Sequence, residues 1–188
     1  MLSNSNVIEN EINRKIREVE KQNNIKLSTT QKIVLSTNGS LSSILNALFG
    51  EIHLFTLRQH FKKANKEIAE KVEVNEGDEV HHREIIVHKH GLPLMYALSY
   101  LPKSRCSDGI IEDLVGEKLV IGRIIRKHRI ETFREITNIS IEKATPTLKE
   151  LFQTNEMMLT REYIMIHDGK IFLWTKESYP ISYFTDEV

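Results

Sequence analysis

The sequence predicts an α+β domain, a mostly antiparallel β-sheet flanked by helices. Three observations carry that expectation. Runs with branched or aromatic residues at alternating positions recur at 51–62, 80–102, 130–143 and 158–178, the period of two that a half-buried strand requires. Two of the runs fold back on themselves, at 89–93 and at Asp168-Gly169, and strands joined by a tight turn pair antiparallel. Helix-period segments gather ahead of the first strand and between the strand runs, which suits helices laid against an antiparallel sheet.

Each element has its own local warrant. Residues 6–22 carry Val7, Ile8, Ile12, Ile16 and Val19 among many charges, a thin helical stripe that needs a packing partner. Ser28 or Thr29 is placed to cap a second helix through Leu35, and Thr37-Asn-Gly-Ser marks a turn. Ser40 can cap a third helix that starts at Leu41, runs through Ile44, Leu45, Leu48 and Phe49, and stops at Gly50. Residues 51–62 alternate as a strand. The segment 64–77 is charged, contains Asn75 and Gly77, and reads as an exposed connection and a candidate lid.

The stretch 80–102 then reads as a hairpin whose parity puts Arg83 on the side of Ile85 and Val87. A short helix is expected over 108–114, with Ser107 or Asp108 as cap and Gly116 beyond its end, and another over 119–128, interrupted by Gly122. Strand character returns at 130–143, where the imperfect alternation of Ile136, Ile139 and Ile141 predicts a bulge near Asn138. Pro146 suits the first turn of a helix ending near Phe152. Residues 158–166 and 170–178 form a closing hairpin. No internal repeat at a solenoid period and no low-complexity tract is evident.

Composition narrows the function classes. At 188 residues the chain suits one domain. Lys plus Arg and Asp plus Glu both number 26, so net charge argues for neither nucleic acid nor an anionic membrane as partner. Cys106 is the single cysteine, which excludes an internal disulfide and fits a reducing, cytoplasmic setting. No signal peptide or membrane-spanning run is expected.

Familiar catalytic patterns are missing. His88 and His90 could supply half of a zinc site, but His81, His82, His88 and His90 are joined by no Cys-x-x-Cys or His-Glu-x-x-His pattern, and the turn pair reads as solvated, with no metal expected. Cys106 lies near cations that could depress its thiol pKa, yet no motif gives it a role. No Gly-x-Gly-x-x-Gly or Walker loop appears, and the basic run 123–129 reads as a solvated helix face.

What remains is Arg83 and several helix starts. An arginine sharing a strand face with apolar residues needs a partner, because an uncompensated buried charge costs several kcal/mol, on the order of a domain's whole margin. Two readings stay open: a snorkelling or protein-paired arginine, and an anchor for a ligand anion. Amides at Leu41 and near Ile121, each at a helix start, would favour a carboxylate. Glu177 shares strand parity with Leu173 and Thr175 and is a candidate acid or base, or else an edge-strand glutamate in water.

At this point the residues resemble the chorismate pyruvate-lyase family and its lyase-like relatives. The resemblance spans roughly 28–184, leaving 1–27 as an N-terminal helical extension. It is carried by Arg-Glu-Ile-Ile at Arg83, Gly-Leu-Pro-Leu and an Ala-x-Ser-x-x-Pro end at Pro102, Ile121-Gly122-Arg123, Thr160-Arg-Glu-Tyr-Ile, Gly169-Lys170 and Glu177-Ser-Tyr-Pro180. It implies that Arg83 binds a ring carboxylate, that the Leu41 and Ile121 amides assist, and that Glu177 is the acid/base group. In ubiquinone-pathway lyases the following proline stands one residue farther along, so an ungapped match would put Lys176 at the glutamate's place. The reaction implied removes pyruvate from chorismate to leave 4-hydroxybenzoate, with no metal or organic cofactor. The same fold is used by effector-binding UTRA domains of bacterial regulators, so a non-catalytic sensor of a small aromatic or pre-aromatic carboxylate is the alternative.

Overall fold

The computed structural model describes residues 11–116 and 121–185. Among them are helices α1 (Glu11–Asn23), α2 (Thr29–Ser36), α3 (Leu41–Phe49), α4 (Lys66–Val72), α5 (Asp108–Val115), α6 (Ile121–Lys127) and α7 (Pro146–Phe152). The strands are β1 (His53–Lys63), β2 (Glu79–Lys89), β3 (Leu92–Pro102), β4 (Phe133–Lys143), β5 (Met157–His167) and β6 (Lys170–Pro180). One antiparallel sheet of order β1-β2-β3-β6-β5-β4 joins all six strands. The expected first-helix residues 6–10 and the helix start at 119–120 lie outside the described residues.

The caps and turns read from the sequence recur in the structure. Ser28 accepts from the Gln31 amide while the Gln31 side chain accepts from the Ser28 amide, a reciprocal capping box. Ser40 caps α3 as expected, and Thr145, which the sequence reading did not name, caps α7 ahead of Pro146. Both hairpins turn through two residues with positive φ, His90 (49°) with Gly91 (85°) and Asp168 (49°) with Gly169 (71°), whose twist matches the strands they join. The bulge in β4 falls between Ile136 and Asn138.

The sheet is a pseudo-twofold duplication. Strand, seven-residue helix, strand and strand occur as β1-α4-β2-β3 and again as β4-α7-β5-β6, each strand of 11 residues. The β1 and β4 bulges correspond, as do the left-handed residues Glu73 and Gln153 that end α4 and α7. Arg83 and Arg161 hold equivalent places eight residues before the turn glycines Gly91 and Gly169. The repeat is too long and too divergent to register as a solenoid period.

Each sheet face has its own cover. On one face Val34, Leu35, Leu41, Leu45, Ile110, Leu114, Ile124 and Ile125 from α2, α3, α5 and α6 join sheet residues in the main core, with α1 adding Ile16 and Val19. On the other, α4 buries Ile68, Ala69 and Val72 with Trp174, and α7 buries Leu148 and Phe152 with Met158. The segment 64–77 is therefore no exposed connection: Asn65 accepts from the Ile68 amide and starts α4, whose apolar side is buried. Because α4 lies on the face opposite Arg83, it cannot act as a lid over that arginine.

Candidate functional site

Strand register places the site residues on the main-core face. Gln59, Arg83, Ser99, Thr175, Tyr163 and Ile136 form one row across the six strands, and Thr56, Ile85, Ala97, Glu177, Arg161 and Ile139 form the next. Arg83 and Glu177 thus lie in adjacent rows two strands apart, about 12 Å between backbones by strand spacing and rise. Two long side chains and one six-membered ring can bridge that gap. Arg83 is 1% exposed and Glu177 5%, so both are enclosed by the helical layer.

Lys176 faces the other way. Its Nζ lies 2.6 Å from Glu142 Oε2 and 3.6 Å from Glu162 Oε1, on the face that carries α4 and α7. Alternation along β6 makes this unavoidable, since adjacent residues of a strand point to opposite faces.

Arg83 Nη2 donates to Thr56 Oγ1 at 3.4 Å. Two residues before it on the same face, His81 packs edge-on against Phe61 with centroids 5.1 Å apart. Burial, reinforced by the Arg83 guanidinium, pushes the His81 pKa down to about 4, so its imidazole is neutral at physiological pH.

Glu177 is held by partners that the sequence reading did not single out. Arg161 Nε donates to Glu177 Oε2 at 2.6 Å, and the Tyr163 hydroxyl donates to Oε1 at 3.3 Å. Burial and the adjacent Glu177 carboxylate raise the Tyr163 hydroxyl to about 12, which keeps it a donor. Arg161 is fully buried; burial opposes its charge, but Glu177 and the neighbouring tyrosines outweigh it and raise its pKa. Arg161 Nη1 also donates to the carbonyls of Val34 at 2.7 Å and Thr37 at 3.0 Å, fixing the turn between α2 and α3 over the sheet. Arg134 adds a bond to Gly39 O while its guanidinium stacks 4.4 Å from the Tyr163 ring. Glu177 is therefore a buried, ion-paired carboxylate, not an edge-strand glutamate in water.

Leu41 and Ile121 open α3 and α6 in the layer covering this face, Leu41 buried and Ile121 half-buried.

Other sequence candidates separate from the site. His90 is exposed, and His88 Nδ1 accepts from the Gly91 amide at 3.3 Å. Among the described residues no group of three or more His, Cys, Asp or Glu is arranged to hold a metal. His82 points to the opposite face, 2.6 Å from Glu84, whose other oxygen accepts from Tyr96 at 2.9 Å. The Cys106 thiol is pushed up to about 12 by burial, so nearby cations do not activate it. Lys127 and His128 both pair with Asp113.

A family model described as Chorismate pyruvate-lyase Rv2949c-like matches residues 35–185. The chain belongs to that family. A relative from Methanocaldococcus jannaschii, named "Putative lyase MJ0807", is 33% identical over 162 residues, covering 82% of this chain and 80% of the relative. Solved structures show the same fold in bacterial regulators. A GntR-family transcriptional regulator from Bacillus cereus superposes with a TM-score of 0.61 at 18% identity, over 73% of this chain and 97% of that one. One from Enterococcus faecalis V583 gives 0.60 at 16% identity, over 72% and 99%. The lyase-family match and the UTRA-like architecture expected from the sequence agree with these findings. Among the described residues no helix is long and apolar enough to cross a membrane.

Proposed function

We propose that this member of the lyase family eliminates pyruvate from chorismate to give 4-hydroxybenzoate. The observation that carries the reading is the placement of Arg83 and Glu177 in adjacent rows of one enclosed sheet face, with Lys176 on the other. Arg83 binds the ring carboxylate, helped by the Leu41 and Ile121 amides, and so fixes the ring with its far side toward Glu177. Glu177 takes the proton from C4; the C3–O bond breaks with its electron pair on the ether oxygen, and the ring becomes aromatic. The departing enolate gains a proton at its methylene carbon and becomes pyruvate. Aromatisation drives the step, so the chemistry needs no metal or organic cofactor.

A second reading has its own support in the regulator-like fold: a domain that binds a small aromatic carboxylate without converting it. Incubating the purified protein with chorismate and following 4-hydroxybenzoate and pyruvate together separates the two. Equal amounts of both products are expected. A folded preparation that binds 4-hydroxybenzoate yet forms neither product would leave the sensor.

A further inference from the structure

The twofold repeat sets two arginines in equivalent positions, but their cross-strand neighbours differ. Opposite Arg83 in β3 stands Ser99; opposite Arg161 in β6 stands Glu177. Arg161 therefore already holds a carboxylate of its own chain, and its guanidinium is only partly used. Nε and Nη1 are taken by Glu177, Val34 and Thr37. Nη2 is buried and has no hydrogen-bond partner among the described residues. A buried guanidinium nitrogen without an acceptor is costly, roughly 1–3 kcal/mol or more for a charged donor, and here it belongs to the group that touches the proposed proton acceptor.

We propose that Arg161 is a second substrate anchor, which donates through Nη2 to the enolpyruvyl group of chorismate as that group leaves. The inference rests on the lyase reading of the site. The chemistry fits. The ring carboxylate is assigned to Arg83, and the carbons that lose the proton and the ether oxygen are neighbours, so the leaving group must depart close to Glu177. That group carries a second carboxylate and gains negative charge on its oxygen when the C3–O bond breaks. Brought near Glu177 without a cation it would meet like-charge repulsion; a fixed guanidinium offsets this and is already oriented, so no reorganisation is needed during the step. The bonds to Val34 and Thr37 hold the guanidinium plane, and Arg134 and Tyr163 brace the same turn and carboxylate.

The contact predicts selectivity that a purely structural arginine would not give. The ligands are benzoate, which offers only the ring carboxylate, and 3-(carboxymethoxy)benzoate, which adds an unreactive second carboxylate on the ether oxygen. By calorimetry the wild type should bind the dicarboxylate at least tenfold more tightly than benzoate. Arg161→Lys keeps the charge beside Glu177 but loses the planar fork; it should erase that preference, leave benzoate affinity within about threefold, and lower kcat/KM for chorismate more than tenfold. Equal loss of affinity for both ligands would mean that Arg161 only supports the fold, and would overturn the proposal. So would a wild type that does not distinguish them, a result that stands even where the lysine variant fails to fold. A wild type that leaves chorismate unchanged yet shows the Arg161-dependent preference would retain the second anchor and remove the lyase reading.

Discussion

Arg83, 1% exposed on the covered sheet face, is the residue we propose as the anchor of the ligand's carboxylate. Arg83→Ala should cost about 2 to 5 kcal/mol in kcat/KM for chorismate, the range for removing one partner of a buried charge pair. Affinity for 4-hydroxybenzoate should fall with it, and an unchanged affinity by calorimetry would take Arg83 out of the site. Its neighbour His81 makes a pH-dependent contribution. The folded-state pKa is depressed from 6.5 to about 4, so the unfolded chain binds the extra proton more readily. Stability is then full above about 6.5 and falls as the pH drops toward 4, by about 3 kcal/mol at most on linkage grounds. Urea midpoints of wild type and His81→Leu between pH 7 and 4 should therefore diverge, the variant losing less; parallel curves would contradict the assignment. The same strand parity that exposes Arg83 in the sequence also marks Arg161, which shares a side with Tyr163 and Met165. That signal is legible in the sequence. Its consequence was not readable, because the partners of Arg161 come from β6 and from α2, and cross-strand register is a tertiary fact.

Most elements were legible because their ends carry local chemistry. Ser28, Ser40 and Pro146 start helices through side-chain caps or a preset φ, and Asp168-Gly169 can turn with positive φ where most residues cannot. The segment 64–77 misled because its charges outnumber its apolar residues, although Ile68 and Val72 stand one helical turn apart behind a capping Asn65. Seven residues give that pattern little weight until a sheet is there to receive it. Asn65→Ala should cost about 1 kcal/mol as a lost cap and lower the melting temperature by about 2–4 °C for a chain of this size. Activity toward chorismate at 25 °C should stay near the wild-type value, since α4 covers the opposite face. A large loss of turnover with little change in melting would point to coupling between the faces.

At the scale of the molecule the α+β class and the antiparallel sheet followed from hairpins and helix-period segments. The strand order and the duplication did not. The repeat keeps Arg83 with Arg161, Glu84 with Glu162, Gly91 with Gly169 and Pro102 with Pro180, but the segment after the short helix is two residues shorter in the second copy, which breaks any fixed period. The pairing of β3 with β6 at the centre brings the two copies together, and with them Arg83 of the first and Glu177 of the second. The proposed site needs both halves, and its central claim is that the carboxylate on the Arg83 face, not the lysine beside it in sequence, moves the proton. Comparing kcat for chorismate in Glu177→Gln and Lys176→Ala tests this directly. We expect a loss of roughly a hundred- to ten-thousandfold for the glutamine variant, and a rate within a few-fold of wild type for the alanine variant. A larger loss in Lys176→Ala than in Glu177→Gln would contradict it.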